Sequence, residues 1–323
     1  MQDLNYQKYN TLIEKAREYG SLSEWEKAIE TYEEAFKLMC DEDDLLDLAI
    51  CYLECDNSFK ALKIIDTVIE LIPDYGMANF YKGIYFENLY NKQDNIQNDN
   101  NYIDLALDEY LKAVEKGFKE SEVYFKIGYI YDIYSDDDKK YLEDAIKYYK
   151  LALKVEPTHF FANLNLGSVY EAKKEYPLAL EYTKKAYESD KEEPRVCYNL
   201  GVIYSKLNNK ELALKYYLEE YQKDEPYSYV YYNLGVYYKD EGKYDEAKKY
   251  YLEGLQYLKD DPSLWYNLGC IHALQENFKG ATECLYASIL LNNKILDYIK
   301  TDKELSKYVE SIEYQNLINK LNF

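Results

Sequence analysis

Four asparagines are the residues best placed to act by repetition. Asn165, Asn199, Asn233 and Asn267 return every 34 residues. The last three each sit in a Tyr-Asn-Leu-Gly tetrad, at Tyr198–Gly201, Tyr232–Gly235 and Tyr266–Gly269. Asn165 is followed by Leu166 and Gly167 in the same way. A side-chain amide both donates and accepts hydrogen bonds. A row of amides can therefore pair with the C=O and N–H groups of an extended peptide, whatever its sequence. Such a row supplies no nucleophile and no general base.

Other reactive side chains are sparse and scattered. There are only two histidines, His159 and His272, far apart in the chain. Two isolated histidines cannot build a His-rich metal site. Cys51 and Cys55 are one helical turn apart, with no histidine or second cysteine pair nearby. Ser135–Asp138 reads Ser-Asp-Asp-Asp but lacks the Gly and Glu of a calcium loop, so it is expected to be a solvated turn. No G-x-S-x-G, phosphate-binding loop or dinucleotide fingerprint is present. The expectation is a protein with no catalytic residues, no metal and no cofactor.

Composition narrows the partner. Asp and Glu number 60 against 39 Lys and Arg, for a formal charge of −21. Such a surface repels phosphate backbones, so nucleic acid is not an expected ligand. The N-terminal residues carry no basic and apolar signal-peptide pattern, and no apolar run is long enough to span a membrane. The six cysteines form no dense framework, which suits a reducing cytoplasm. Pro (6) and Gly (12) are too few for a loop-rich all-β chain.

The elements that position the asparagines follow from the same period. Small residues recur at Ala28, Ala61, Ala106, Ala145, Ala179, Ala213, Ala247 and Ala281. Four residues after each comes a mostly large side chain, often Tyr, as at Tyr32, Tyr110, Tyr149, Tyr217 and Tyr251. Three further on the residue is mostly small again, with Glu220 as an exception. Spacings of four and three mark one stripe of a helix. A second stripe lies upstream, for example Tyr231, Leu234, Gly235 and Tyr238. Polar turns such as Lys239–Glu246 separate the two. Each unit is thus an antiparallel helix hairpin, and stacking is what buries both stripes.

The 34-residue period, with Trp265, Leu268-Gly269 and Ala281 in one unit and Ile127-Gly128, Ala145 and Pro157 in another, resembles the tetratricopeptide repeat. The resemblance covers about nine-tenths of the chain and implies an all-α, right-handed superhelical solenoid. Repeats are expected near 9–42, 42–75, 76–119, 121–159, 160–193, 194–227, 228–261 and 262–295, followed by capping helices over 296–323. The third repeat is stretched at Asn91–Asn101 and the fourth around Ser135–Lys139.

Helix geometry places the asparagine away from the hairpin core. With the buried stripe centred near 350°, the sixth position of the first helix falls at about 200°. The resemblance implies that first helices line a concave groove. Asn165, Asn199, Asn233 and Asn267 would then form a ladder, with Phe161, Arg195, Tyr229, Val202, Val236 and Tyr81 beside it. Lys126 replaces the asparagine in the fourth repeat. The terminal-carboxylate clamp of chaperone-binding relatives is absent, since Ile13 and Arg17 stand where Lys and Asn are wanted. The expected activity is a non-catalytic scaffold that binds a protein or peptide segment, as a monomer or weak homodimer. The alternative is an accessory or regulatory subunit of an enzyme complex that meets its partners through the convex face, the 91–101 loop or the C-terminal cap.

Overall fold

The computed structural model describes residues 2–92 and 101–321, and among them there are helices and no strands. The chain divides into two compact units, Met1–Leu166 and Gly167–Phe323. In the first unit helices pair as α1 (Gln2–Ser21) with α2 (Trp25–Ala35), and α3 (Glu42–Glu54) with α4 (Ser58–Leu71). They continue as α5 (Gly76–Lys92) with α6 (Asn101–Glu115), and α7 (Ser121–Asp137) with α8 (Leu142–Val155). Helix α9 (Phe160–Ala172) contains the division. The second unit continues with α10 (Tyr176–Ser189), α11 (Val196–Lys206), α12 (Lys210–Tyr221), α13 (Tyr229–Asp240) and α14 (Tyr244–Tyr257). It ends with α15 (Pro262–Leu274), α16 (Phe278–Leu291) and three short helices, α17 (Ile295–Thr301), α18 (Ser306–Val309) and α19 (Ile312–Leu321). This is an all-α solenoid of helix hairpins.

A glycine on the first helix receives a large side chain from the second. A Cβ added to Gly235 would lie 2.2 Å from the Tyr251 ring, and one added to Gly83 would lie 2.5 Å from Tyr110. Both rings are fully buried. The Leu-Gly part of the recurrent tetrad is therefore packing: the glycine lets a tyrosine fill the space between two helix backbones.

The turns inside the hairpins repeat as well. Ser23, Asp56, Lys174, Asn208, Gly242 and Glu276 all close the first helix with positive φ, between 57° and 73°. The next amide reaches back across the turn, as Asn209 N–H does to Tyr204 C=O at 2.9 Å and Lys243 N–H to Tyr238 C=O at 2.9 Å. This closure satisfies carbonyls that the helix end would leave orphaned. Only Gly242 among these six adopts the left-handed conformation without steric cost.

Two local departures matter. Ser135–Asp138 is not a solvated turn. Helix α7 runs through Asp137, Ser135 is buried, and Asp138 caps a 3₁₀ turn at Lys139–Tyr141 by accepting from Lys140 N–H at 3.0 Å. The longer fourth repeat is absorbed as extra helical turns. Most of the Asn91–Asn101 stretch lies outside the described residues. The other departure is Glu220, fully buried where other repeats hold Ala, Val, Gly or Ser. Its carboxylate accepts from Lys223 Nζ (2.9 Å), Tyr227 N–H (2.8 Å) and Arg195 N–H (3.4 Å). A buried charge is tolerated only with such partners. Here it ties together the loops that enter α11 and α13.

Candidate functional site

The sixth position of each first helix borders the buried surface. Positions three and ten are buried too, at Val196 and Ile203 on α11 and at Leu264 and Ile271 on α15. They extend the stripe to about 240°, so the asparagine at about 200° stands at its edge. Two-sided packing explains this. A first helix packs on its own partner and also on the neighbouring repeat.

In the second unit Asn199 and Asn233 are half-buried for that reason. Asn199 Nδ2 donates to Ser168 Oγ at 3.1 Å, in the preceding repeat. Asn233 Nδ2 donates to Tyr198 Oη at 3.2 Å and more weakly to Tyr229 C=O at 3.4 Å. Burial raises the Tyr198 phenol above its ordinary value, while the bond from Asn233 pulls the other way. Tyr198 therefore stays a neutral phenol that can accept this bond. Each asparagine has a half-buried valine beside it, Val202 and Val236. Asn199 and Val202 line a small cleft of about 140 Å³ with Ser168, Glu171 and Tyr198. Asn233 and Val236 line another of about 70 Å³. Tyr229 is 42% exposed, and Arg195 is exposed at the start of α11.

In the first unit the same position holds one amide contact of this kind and an ion pair. Asn165 Nδ2 donates to Tyr149 Oη at 3.2 Å, and Tyr149 in turn donates to Asp132 at 3.1 Å. Lys126 is not an open groove residue. Its ammonium lies 2.7 Å from Glu87, which also accepts from the buried Tyr110 hydroxyl at 2.5 Å. Tyr81 is half-buried and packs on the core of the first repeats. Phe161 is exposed and stacks on Phe125 with ring centroids 6.0 Å apart.

Asn267 is the exception among the four asparagines. It is 8% exposed, and its amide is engaged at both ends. Nδ2 donates to Ser263 C=O at 2.9 Å and Oδ1 accepts from Lys239 Nζ at 3.4 Å. The segment after α16 causes this. Glu304 grips Lys239 through both carboxylate oxygens at 2.8 and 3.1 Å, and Asp302 accepts from the Tyr266 hydroxyl. Burial lowers the Lys239 pKa, but Glu304 outweighs it and leaves the ammonium above its ordinary value. Asn267 is thus removed from any open ladder. A cleft of about 440 Å³ remains next to it, walled by Tyr232, Tyr266 and Tyr298.

Cys270, Asp302 and Glu304 bring three ligand-type atoms within 4.8 Å of one another. Burial pushes the Cys270 thiol up to about 12, so the free thiol is protonated at neutral pH. The Lys239 ammonium is taken up by Glu304, which leaves Asp302 as the unpaired charge of this cluster. His159 is buried and structural. Its Nδ1 accepts from Ala162 N–H (3.2 Å) at the start of α9, which leaves Nε2–H to donate to Glu122 (3.1 Å). Burial, followed by the Lys248 charge, lowers the His272 pKa, and its Nδ1 meets Asn277 Nδ2 at 3.2 Å.

The sequence pointed to Asn199 with Val202 and to Asn233 with Val236, and the structure brings each pair together. It did not reveal Tyr198 as the acceptor for Asn233. The available signal was the tetrad tyrosine, which precedes the asparagine at Tyr198, Tyr232 and Tyr266. It also gave no warning of Tyr298 and Asp302, which come from outside the period.

Models described as tetratricopeptide repeat match residues 142–194, 194–219, 228–261 and 262–295. Among solved structures, the chain is similar to PilF of Pseudomonas aeruginosa, with 20% identity and a TM-score of 0.56 over 69% of this chain and 94% of that one. It is also similar to a chain of the APC/C hetero-tetramer Cut9–Hcn1, with 17% identity and a TM-score of 0.58 over 93% of this chain and 55% of that one. At such identities the likeness is one of fold. No curated protein matches the sequence. No helix among the described residues is long and apolar enough to cross a membrane.

Proposed function

The chain belongs to the tetratricopeptide repeat family, and from that premise we propose that it is a non-catalytic scaffold holding an extended segment of a partner protein. The segment lies on the first-helix face of the second unit, across Asn199 and Asn233. One observation carries the reading. Each of these asparagines directs its Nδ2 into the preceding repeat, while its Oδ1 accepts no hydrogen bond among the described residues. Two acceptors held in fixed orientation suit the N–H groups of an extended backbone. Val202 and Val236 offer apolar contact beside them, and the exposed ring of Tyr229 adds more. The chain's net charge of −21 favours a partner segment that is neutral or basic.

The experiment is partner capture by crosslinking in the native cell, followed by titration of the identified segment. The double variant Asn199→Ala, Asn233→Ala should bind about tenfold more weakly, the effect of losing two modest hydrogen bonds. Undiminished binding would remove the asparagine face from the mechanism. Retained binding by this variant, together with loss on deleting Asn91–Asn101, would move the contact to that segment.

A further inference from the structure

The cleft beside Asn267 has a chemistry that the rest of the asparagine face lacks. It is formed within the second unit by α13, the start of α15 and α17. Three tyrosines, Tyr232, Tyr266 and Tyr298, line it together with Ile295, and Asp302 brings one carboxylate to the wall. At about 440 Å³ it lies within the range of ligand-holding pockets. We propose that this cleft is a receptor for a cationic side chain, lysine or arginine, of the partner segment. The proposal deepens the scaffold reading and rests on it.

The charges support one sign of ligand. Glu304 and Lys239 neutralise each other, with the Lys239 side chain only 12% exposed. The Cys270 thiol is neutral. Asp302 is then the uncompensated charge of the wall. It accepts from the Tyr266 hydroxyl and from Glu304 N–H at 2.9 Å, so it is fixed in place before any ligand arrives. A carboxylate retains further acceptor capacity after two such bonds. Aromatic walls attract ammonium and guanidinium groups, and Ile295 can pack on the methylene stem. An anionic ligand would meet Asp302 and a strongly acidic chain, and a purely apolar one would strand the carboxylate. Tyr298 is 65% exposed, so the ring is available to a ligand and is not part of the packed core.

The test uses the full chain and three small probes: the N-acetyl methylamides of lysine, arginine and norleucine. Ligand-observed saturation-transfer NMR measures their binding. The lysine and arginine probes should saturate with dissociation constants on the order of 1 mM, and norleucine should bind about tenfold more weakly. Asp302→Asn should reduce lysine binding about tenfold and make it insensitive to salt. That variant also touches the Tyr266 contact, so Tyr298→Ala serves as the second. It leaves the docked C-terminal segment intact and should also weaken lysine binding about tenfold. Equal binding of norleucine and lysine, absence of saturable lysine binding, or full lysine binding by Tyr298→Ala would each overturn the proposal. The double variant Asn199→Ala, Asn233→Ala should leave the lysine signal unchanged, so failure here does not imply failure of the asparagine face.

Discussion

The two units place the same helix positions against the preceding repeat, but the first fills them mostly with ion pairs and the second with neutral amides. In Met1–Leu166, Asp47 at the sixth position of its first helix meets Arg17 at the ninth position of the helix before, at 2.9 Å. In Gly167–Phe323, Asn199 and Ser168 stand at those two positions, at 3.1 Å. The first unit adds Lys126 with Glu87 (2.7 Å) and, at its last first-helix, Asn165 with Tyr149 (3.2 Å). The second adds Asn233 with Tyr198 at 3.2 Å. An ion pair engages both of its partners. An amide that donates with Nδ2 still has an acceptor on Oδ1. The backbone rule is shared, yet the neutral version leaves an uncharged acceptor for a ligand.

The largest expected effect tests what the units share. Gly83→Ala and Gly235→Ala each force a Cβ against a buried tyrosine ring and should cost about 3 kcal/mol, near the upper end for overpacking. Thermal denaturation followed by circular dichroism would show both. A large loss for one glycine and none for the other would break the idea of a common packing rule.

The next effect separates the units. Lys126→Ala leaves Glu87, whose side chain is 11% exposed, without its counter-ion. The cost should be about 2–3 kcal/mol. Lys126→Asn, which installs the residue type of the second unit, should recover little, because an amide does not replace the charge. Stability equal to the parent for either variant would mean that the ion pair is dispensable.

Asn233→Ala should cost only about 1 kcal/mol, the value of one neutral hydrogen bond at a half-buried site. Chemical denaturation measures it. A loss as large as that of Lys126→Ala would erase the distinction between charged and neutral contacts.

The smallest effect is a difference in acid response. Burial and Lys248 hold the His272 pKa below its ordinary value in the second unit. The hydrogen bond from His159 holds the Glu122 pKa below its ordinary value in the first, against burial and with help from Lys126. Both groups have depressed folded pKa values, so each contributes stability above its unfolded pKa and loses it as pH falls through the folded value. The His272 contribution should begin to fade below about pH 6.5, and that of Glu122 only below about 4.3. Melting temperatures followed from about pH 7 to about pH 2 should depend less on pH at the upper end in His272→Gln and at the lower end in Glu122→Gln. Identical pH profiles for the two variants would refute the assignment.

Much of the fold could be read from the sequence because its packing is local and periodic. Leu234 and Gly235 serve the same contact as Leu200 and Gly201, and the alternation of glycine and tyrosine specifies how one helix approaches the next. The face of the asparagines was also legible, since about 100° per residue places the sixth position off the core. Its degree of burial was not, because Val196, Leu264 and Ile271 are buried by neighbouring repeats that a single hairpin does not contain. Ser135–Asp138 was misread as a turn because its side chains favour solvent, while the helix continues through them to a 3₁₀ turn.

The sequence by itself determined a stack of helix hairpins with an asparagine at one recurrent angular position. It did so because a 34-residue period and a helical period together constrain every residue they govern. The tertiary structure alone decided which asparagines remain open. Asn199 and Asn233 keep an unengaged acceptor, while Asn267 is closed by Lys239, Glu304 and the docked C-terminal segment. Exposure of a helix face depends on what folds against it, and that segment lies outside the period.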